Sequence, residues 1–465
     1  MRYVLPLIAV LALAGGAAAQ GAPAGGTPVF VVSGGGWGHN VGLSQWGAFG
    51  QAKAGRTYDQ ILRQYFPGTK LEETPVRKVR VLVSEETRAA RVASGAPFRV
   101  RDATGAVHDV ARTEVQVDRR LRVPVLVDAE NGAAVRATRR LALPGPLTFL
   151  PARGATMSLD GKGFRGRLEL ASSAKRLRVV MIVGLDAYVQ GIVPGEMPKE
   201  WPLEALKAQA VAARTYAVAH LEQGKDWDVV ADPYAFAYYG VAKEAPSTNT
   251  AVSETRGQVL TYRGGPITAF YFSSSGGRTL SSQDVFGVSL PYLRGGKDPW
   301  DAASPNHTWP VRTFTPKSLA VALRADRPVA DVEVVPSAPG RPLGYVVATV
   351  AGASVSLRAG DVRTLLGLKS ANFRIGILRL DPPAGAVPAG ASVALVGAAR
   401  DVGPAVLEQR GADGVWTPAR RKLVVQPDGS FTVVVRPAET TVYRLSAAGL
   451  IGPSATVTVT PQAAG

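Results

Sequence analysis

Residues 200–225, EWPLEALKAQAVAARTYAVAHLEQGK, constrain this chain more than any other stretch. Leu203, Leu206, Ala210, Ala213, Ala217 and Leu221 recur at near-helical spacing, Pro202 suits the first turn, and Gly224 suits the position just past the end. The apolar face is mostly alanine. Side chains this small let other backbone approach closely, so the pattern predicts a helix lying deep inside a domain. Arg214 interrupts that pattern, and a buried guanidinium must meet a carboxylate, a carbonyl or a ligand, because an unpaired buried charge is costly. The structural role and the ligand-binding role are both open for it.

What surrounds the helix is strand-like. From Val76 to about Val183, short alternating runs such as VRKVRVLV, EVQVDRRLRVPVLVD and RLRVVMIV are separated by Gly, Asp and Asn turns. GQVLTYRGGPITAFYF has the pattern of a hairpin turning at Gly264 and Gly265, followed by the loop SSSGGRTLSS. Residues 331–378 predict two or three further strands and the short helix AGDVRTLLGL. Tyr58, Ile61, Leu62 and Tyr65 give an earlier helix, stopped by Pro67 and Gly68. From about Pro382, short strands at regular spacing suggest a small immunoglobulin-like β-sandwich at 381–465. The expected class is α+β. A chain of 465 residues suggests two to four domains.

The N-terminus has Arg2, an apolar run from about Val4 to Ala14, and small residues through Ala19, the pattern of a secretory leader at 1–19 followed by a linker at 20–28. After it no run of about 20 uncharged apolar residues occurs, so the processed chain is expected to be soluble, in the periplasm, at the cell wall or outside the cell. The net charge of +17 is spread over scattered arginines. Outside the cytoplasm this favours anionic wall polymers or lipid head groups as partners, and not nucleic acid. There is no cysteine, hence no disulfide, no thiolate metal site and no lipid-modified cysteine. His39, His108, His220 and His307 have no ligand-like spacing, so neither a metal nor another cofactor is expected.

Glu196 is the carboxylate best placed for chemistry. It follows Pro194 and Gly195 and precedes Met197 and Pro198, so its backbone is restrained on both sides while the glycine permits close approach. Ile192, Val193 and Met197 are apolar neighbours that would raise its pKa and suit it to proton donation near neutral pH. The alternative is that it caps the following helix, a role for which Glu200 and Glu204 are better placed.

At this point the chain resembles a known family. YVQGIVPGEMPKEWPLEALKAQAVAARTYAVAH is similar to the signature of the SpoIID/LytB proteins, the stage II sporulation D proteins and amidase enhancers. GKGFRGRLEL upstream, and TRGQVLTYRGGPITAFYFSSSGGRTLSSQDVFG and PYLRGGKDPWD downstream, occur in the order that family has. GWGHNVGLSQWGAFGQAKAGRTYDQILRQYFPGT resembles a second signature of it. The resemblance covers roughly residues 29–378 and implies a lytic transglycosylase that cleaves peptidoglycan glycan strands, particularly those without stem peptides, with Glu196 as the catalytic acid. One carboxylate suffices if the muramic C6 hydroxyl closes the ring. Hydrolysis would need a second, for which Asp298 and Asp301 are candidates, or else they structure their loop. The resemblance further implies substrate contacts at His39, Gln45, Gln209, Arg214, Tyr216, Ser273, Ser274, Ser275 and Gly276. The competing reading is a non-catalytic wall-glycan-binding protein that stimulates a separate cell-wall amidase.

Three features depart from the family pattern. The GWGH segment lies at the N-terminal side instead of after DPW, which suggests a circular permutation in which 29–72 complete a core formed by a strand-rich part, 73–180, and a catalytic part, 181–380. Asn40 stands where the family has glycine, and asparagine tolerates left-handed backbone. Ala237 stands where relatives commonly have glutamine. The glycines of GGGWGHNVGLSQWGAFG, residues 34–50, could serve close packing alone. The resemblance implies instead that this stretch folds against the Glu196 loop with His39 and Gln45 facing a groove.

Overall fold

The computed structural model describes residues 26–465 except 129–135, 174–175, 223, 232–237, 336–344, 351, 421–422 and 461–465. The leader at 1–19 and Ala237 therefore lie outside the described residues. The chain is α+β, and among the described residues no helix is long and apolar enough to cross a membrane.

Six helices position the site: α1 (Gln45–Lys53), α2 (Tyr58–Tyr65), α3 (Leu185–Gln190), α4 (Val193–Glu196), α5 (Leu203–Ala219) and α6 (Pro246–Glu254). The other five all pack on α5. Seven alanines, or any side chains as small, let neighbours approach from several directions, and accordingly Ala205, Ala208, Gln209, Ala212 and Ala217 are all buried. The helix ends at Ala219, short of the expected Leu221 and Gly224. His220 is the reason, since its Nδ1 lies 2.7 Å from the Tyr216 carbonyl and occupies an acceptor at the final turn.

The strand-rich part forms a seven-stranded sheet in which Lys78–Thr87 and Leu177–Gly184 are adjacent inner strands, and a four-stranded sheet containing Ala89–Ser94 and Glu114–Asp118. The alternation has a direct physical result, with Val115 and Val117 buried and Glu114 and Gln116 exposed. Val81, Val179 and Met181 join α5 in one hydrophobic core.

The first described strand, Val29–Gly34, is inserted between Phe373–Leu380 and Arg312–Phe314, antiparallel to both. Both faces of this sheet are covered. Phe30, Val32, Phe373, Ile375 and Ile377 enter one core, while Val31, Leu378 and Leu380 enter another. The sheet then continues through Val393–Arg400 to Ser430–Val435. Across the second core lies a four-stranded sheet that includes Ala405–Arg410 and Thr441–Ala447. The boundary drawn at 381 thus falls inside a continuous sheet, because Phe373–Leu380 pairs directly with Val393–Arg400.

Candidate functional site

α4 is one turn of helix with Pro194 near its start, closed by Met197 N–H donating to the Val193 carbonyl at 3.0 Å. Ile192, Val193 and Met197 are buried and anchor the turn, which leaves Glu196 half-buried at its end. Glu196 does not act as the cap of α5, and neither does Glu204, whose Oε2 accepts from Tyr58 N–H at 2.7 Å at the start of α2.

The residue that meets Glu196 comes from the glycine-rich segment. Gln45 begins α1, and its Nε2 donates to Glu196 Oε2 and to Gln209 Oε1, each at 3.4 Å. Gln209 is fully buried on α5, and its own Nε2 has no partner among the described residues. The placement of Gln45 rests on close packing: a Cβ at Gly47 would lie 2.0 Å from Tyr65 Oη and 2.4 Å from Asp298 Oδ2, and one at Gly50 would lie 2.0 Å from the Trp300 carbonyl. The glycines here do pack closely, and that packing is what carries Gln45 to the glutamate.

Asp301 holds the surrounding loops. It is fully buried, and its carboxylate accepts from Ser44 Oγ at 3.2 Å, Ser274 Oγ at 3.0 Å, and the Ser275 and Gly276 N–H groups at 2.9 Å each. His307 Nδ1 approaches to 3.2 Å. Since Ser44 caps α1 by accepting from Gly47 N–H, one carboxylate joins the start of the Gln45 helix to the serine loop. Asp298 is also fully buried and accepts from Tyr65 Oη at 3.0 Å. Burial, with a lesser contribution from the Asp301 charge, raises its pKa to about 6. Of the two roles open for these aspartates, the geometry supports structuring the loop.

Other expected contacts lie differently. His39 packs against Phe270, Phe272 and Phe286, with ring centroids 5.4–5.6 Å away, and its Nδ1 accepts from Val41 N–H at 3.1 Å. Burial, reinforced by Arg363, lowers its pKa to about 4, so the ring is neutral near pH 7. The member of the segment that reaches Glu196 is therefore Gln45, while His39 is part of an aromatic cluster. Asn40 takes φ 61°, the left-handed conformation asparagine tolerates, and its Nδ2 donates to the Ser275 carbonyl at 2.8 Å.

Ser274 and Ser275 are fully buried, so their expected role as hydroxyl donors to a ligand is corrected: the Ser274 hydroxyl serves Asp301, and Ser275 Oγ accepts from Gly277 N–H. The Gly276 N–H is likewise taken by Asp301. Ser273 is half-buried, and its carbonyl accepts from Trp46 N–H at 3.0 Å. Arg214 has no exposed surface. Its Nε donates to Asp186 at 2.8 Å, and its other nitrogens donate to the carbonyls of Gln258 and Val252 at 3.1 and 3.2 Å. This set of partners fills the structural role left open for it. Tyr216 is half-buried, stacked on His220 with centroids 4.0 Å apart.

Several aromatic side chains on the elements around the site were missed at the level of sequence. The Glu196 charge adds to burial in raising the Tyr271 pKa, which places that tyrosine close by. Trp46, beside Gln45, meets Phe49 and Trp201 with centroids 5.4 and 4.9 Å apart. Trp37 is 53% exposed, with Lys369 Nζ 5.5 Å from its ring centroid. The only signal for these was the density of aromatics in WGHNVGLSQWGAF, KEWP and AFYF, which periodicity does not resolve.

Comparison with known proteins matches residues 173–262 to the family described as SpoIID, stage II sporulation protein. The chain is 34% identical over 208 residues to stage II sporulation protein D of Bacillus amyloliquefaciens, covering 41% of this chain and 60% of that protein. The corresponding protein of Bacillus subtilis (strain 168) is 34% identical over 212 residues, again 41% and 60%. The amidase enhancer of Bacillus subtilis (strain 168) is 44% identical over 147 residues, 31% of this chain and 20% of that protein. The chain thus spans less than two thirds of the length of each of these relatives.

Proposed function

We propose, from the match of residues 173–262 to the SpoIID family, that the chain acts on the bacterial cell wall as an exported lytic transglycosylase of peptidoglycan glycan strands. The observation that carries this reading is the contact between Gln45 and Glu196, which joins two motif-bearing segments on a single carboxyl group.

Glu196 protonates the oxygen between N-acetylmuramic acid and N-acetylglucosamine, and the bond breaks through an oxocarbenium-like state. The resulting carboxylate takes the proton of the muramic C6 hydroxyl as that oxygen closes on the anomeric carbon. The products are a 1,6-anhydro end and a free N-acetylglucosamine hydroxyl, and the carboxyl group is restored. No second carboxylate is required, which agrees with the engagement of both Asp298 and Asp301 in holding loops. Gln45 fixes Oε2 and so orients the group in both steps.

The test is to incubate the purified chain with peptide-free glycan strands and analyse the ends by mass spectrometry. Anhydro ends that disappear in Glu196→Gln support the enzyme. Tight binding that yields no new ends overturns it in favour of a glycan-binding protein that stimulates an amidase, a reading to which the 44% identity with an amidase enhancer gives substance.

A further inference from the structure

The strand-rich part holds a second concentration of chemistry that shares no residue with the Glu196 site. Between Lys78 and Arg178 the sequence has 20 Lys and Arg against 10 Asp and Glu, so this stretch carries an excess of 10 out of the net +17. Three turns converge there on one open cleft of about 570 Å³, lined by Arg88, Asp118, Arg119, Arg120, Ser172 and Ser173. Arg88 separates the strands Lys78–Thr87 and Ala89–Ser94, Arg119 and Arg120 separate Glu114–Asp118 from Arg122–Asp128, and the serines end Arg167–Ser172.

Hydrogen bonds that involve the main chain tie the turns of the cleft together. Ser172 Oγ donates to the Arg119 carbonyl at 2.7 Å, tying two of the turns together. Arg120 N–H donates to Asp118 Oδ1 at 2.9 Å, and Leu121 N–H donates to the Asp118 carbonyl at 2.9 Å. The single carboxylate lining the cleft is therefore already engaged, with Arg122 Nε 3.9 Å from its other oxygen. The Arg88 and Arg120 side chains are exposed and meet neither a carboxylate nor another hydrogen-bond acceptor among the described residues.

We propose that this cleft binds a phosphodiester polyanion, with successive phosphates seated on Arg88 and Arg120. Every basic residue lining it is arginine, whose planar fork matches two phosphate oxygens at once. An open surface cleft accommodates a chain of repeating charge better than it encloses a small ligand.

The full chain is titrated with poly(glycerol phosphate) between about 50 and 200 mM salt, where screening changes strongly. Arg88→Glu with Arg120→Glu is expected to weaken binding about tenfold or more and to flatten its salt dependence, the loss of two charge-assisted contacts. Lys317→Glu with Arg327→Glu makes the same change in charge at exposed residues elsewhere and is expected to weaken it far less. Equal weakening by the two pairs, or no binding by the parent chain, overturns the proposal. So does preferential binding to phosphatidylglycerol vesicles that is lost in the first pair, which would assign the cleft to a lipid surface. If the glutamate pair unfolds, Arg88→Gln with Arg120→Gln makes the same comparison, with a loss of several-fold expected and unchanged affinity overturning the assignment.

Discussion

Gln45 Nε2 lies 3.4 Å from Glu196 Oε2 although 151 positions separate the two residues. The same amide reaches Gln209 on the buried helix, so the glutamate is oriented jointly by α1 and by the central α5. Removing the amide with Gln45→Leu deletes one charge-assisted bond, for which a loss of about 10- to 100-fold in the rate of anhydro-end formation is expected. The loss should fall on kcat, with glycan binding and the unfolding midpoint near those of the parent chain. A loss confined to KM would show that Gln45 holds the glycan instead of the carboxyl group.

Asp301 joins Ser44, Ser274, Ser275 and Gly276 through its two oxygens. Asp301→Ala leaves those donors buried and unpaired, so a destabilisation of about 3 kcal/mol or more is expected in denaturant unfolding. Asp301→Asn keeps the shape but turns one acceptor into a donor facing other donors, and should recover little of that loss. Full recovery by asparagine would count against the hydrogen-bond account.

Arg214 is expected to be structural. Arg214→Met takes the guanidinium away from two carbonyls and Asp186 and should cost about 3–5 kcal/mol. Combining it with Asp186→Asn should cost less than the sum of the single changes, a coupling readable from a double-mutant cycle. Simple additivity would show that the pair does not interact.

Two buried groups make opposing contributions to the pH dependence of stability. The folded pKa of Asp298 is raised from 3.8 to about 6, so its contribution is present below about pH 4 and is lost as pH rises through 6. The folded pKa of His39 is lowered from 6.5 to about 4, so the unfolded chain binds the extra proton between those values and stability rises with pH across that window. Each shift corresponds to about 3 kcal/mol. In the parent chain the two slopes largely cancel between pH 4 and 6. Asp298→Asn should reveal a rising profile and His39→Phe a falling one, measured by urea unfolding; parallel profiles for the two variants would contradict both shifts.

Truncation after Leu380 should not yield a well-behaved shorter protein. It strips the cover from Val31, Leu378 and Leu380 and leaves Phe373–Leu380 as a bare sheet edge. Insoluble expression is expected, and a soluble, cooperatively unfolding fragment of 1–380 would show that the terminal strands are a separable module.

Local pattern accounts for much of this molecule. The alanine helix, the alternating strands and the turn at Asn40 follow from period, side-chain size and tolerated backbone angle, all of which act between near neighbours. Glu196 stands out through the prolines and the glycine around it. The inward orientation of Ser274 and Ser275 is not legible in the same way, because it depends on Asp301, 27 and 26 positions further along, which accepts from the Ser274 hydroxyl and the Ser275 N–H. The separate C-terminal module expected from regular strand spacing also ignored the pairing of Phe373–Leu380 with Val393–Arg400, since spacing measures strands one at a time and says nothing of which edge they join.

Sequence by itself determined the class of the fold, the deep helix, the carboxylate with most reason to act, and an excess of positive charge. Only the tertiary structure decided which side chains share a site: it selected Gln45 over His39 as the partner of Glu196 and turned Arg214 toward Asp186. The physical reason is that packing closes contacts across more than a hundred residues only after the glycines of α1 have let helix and loop meet, and no local pattern carries the cost or gain of that approach.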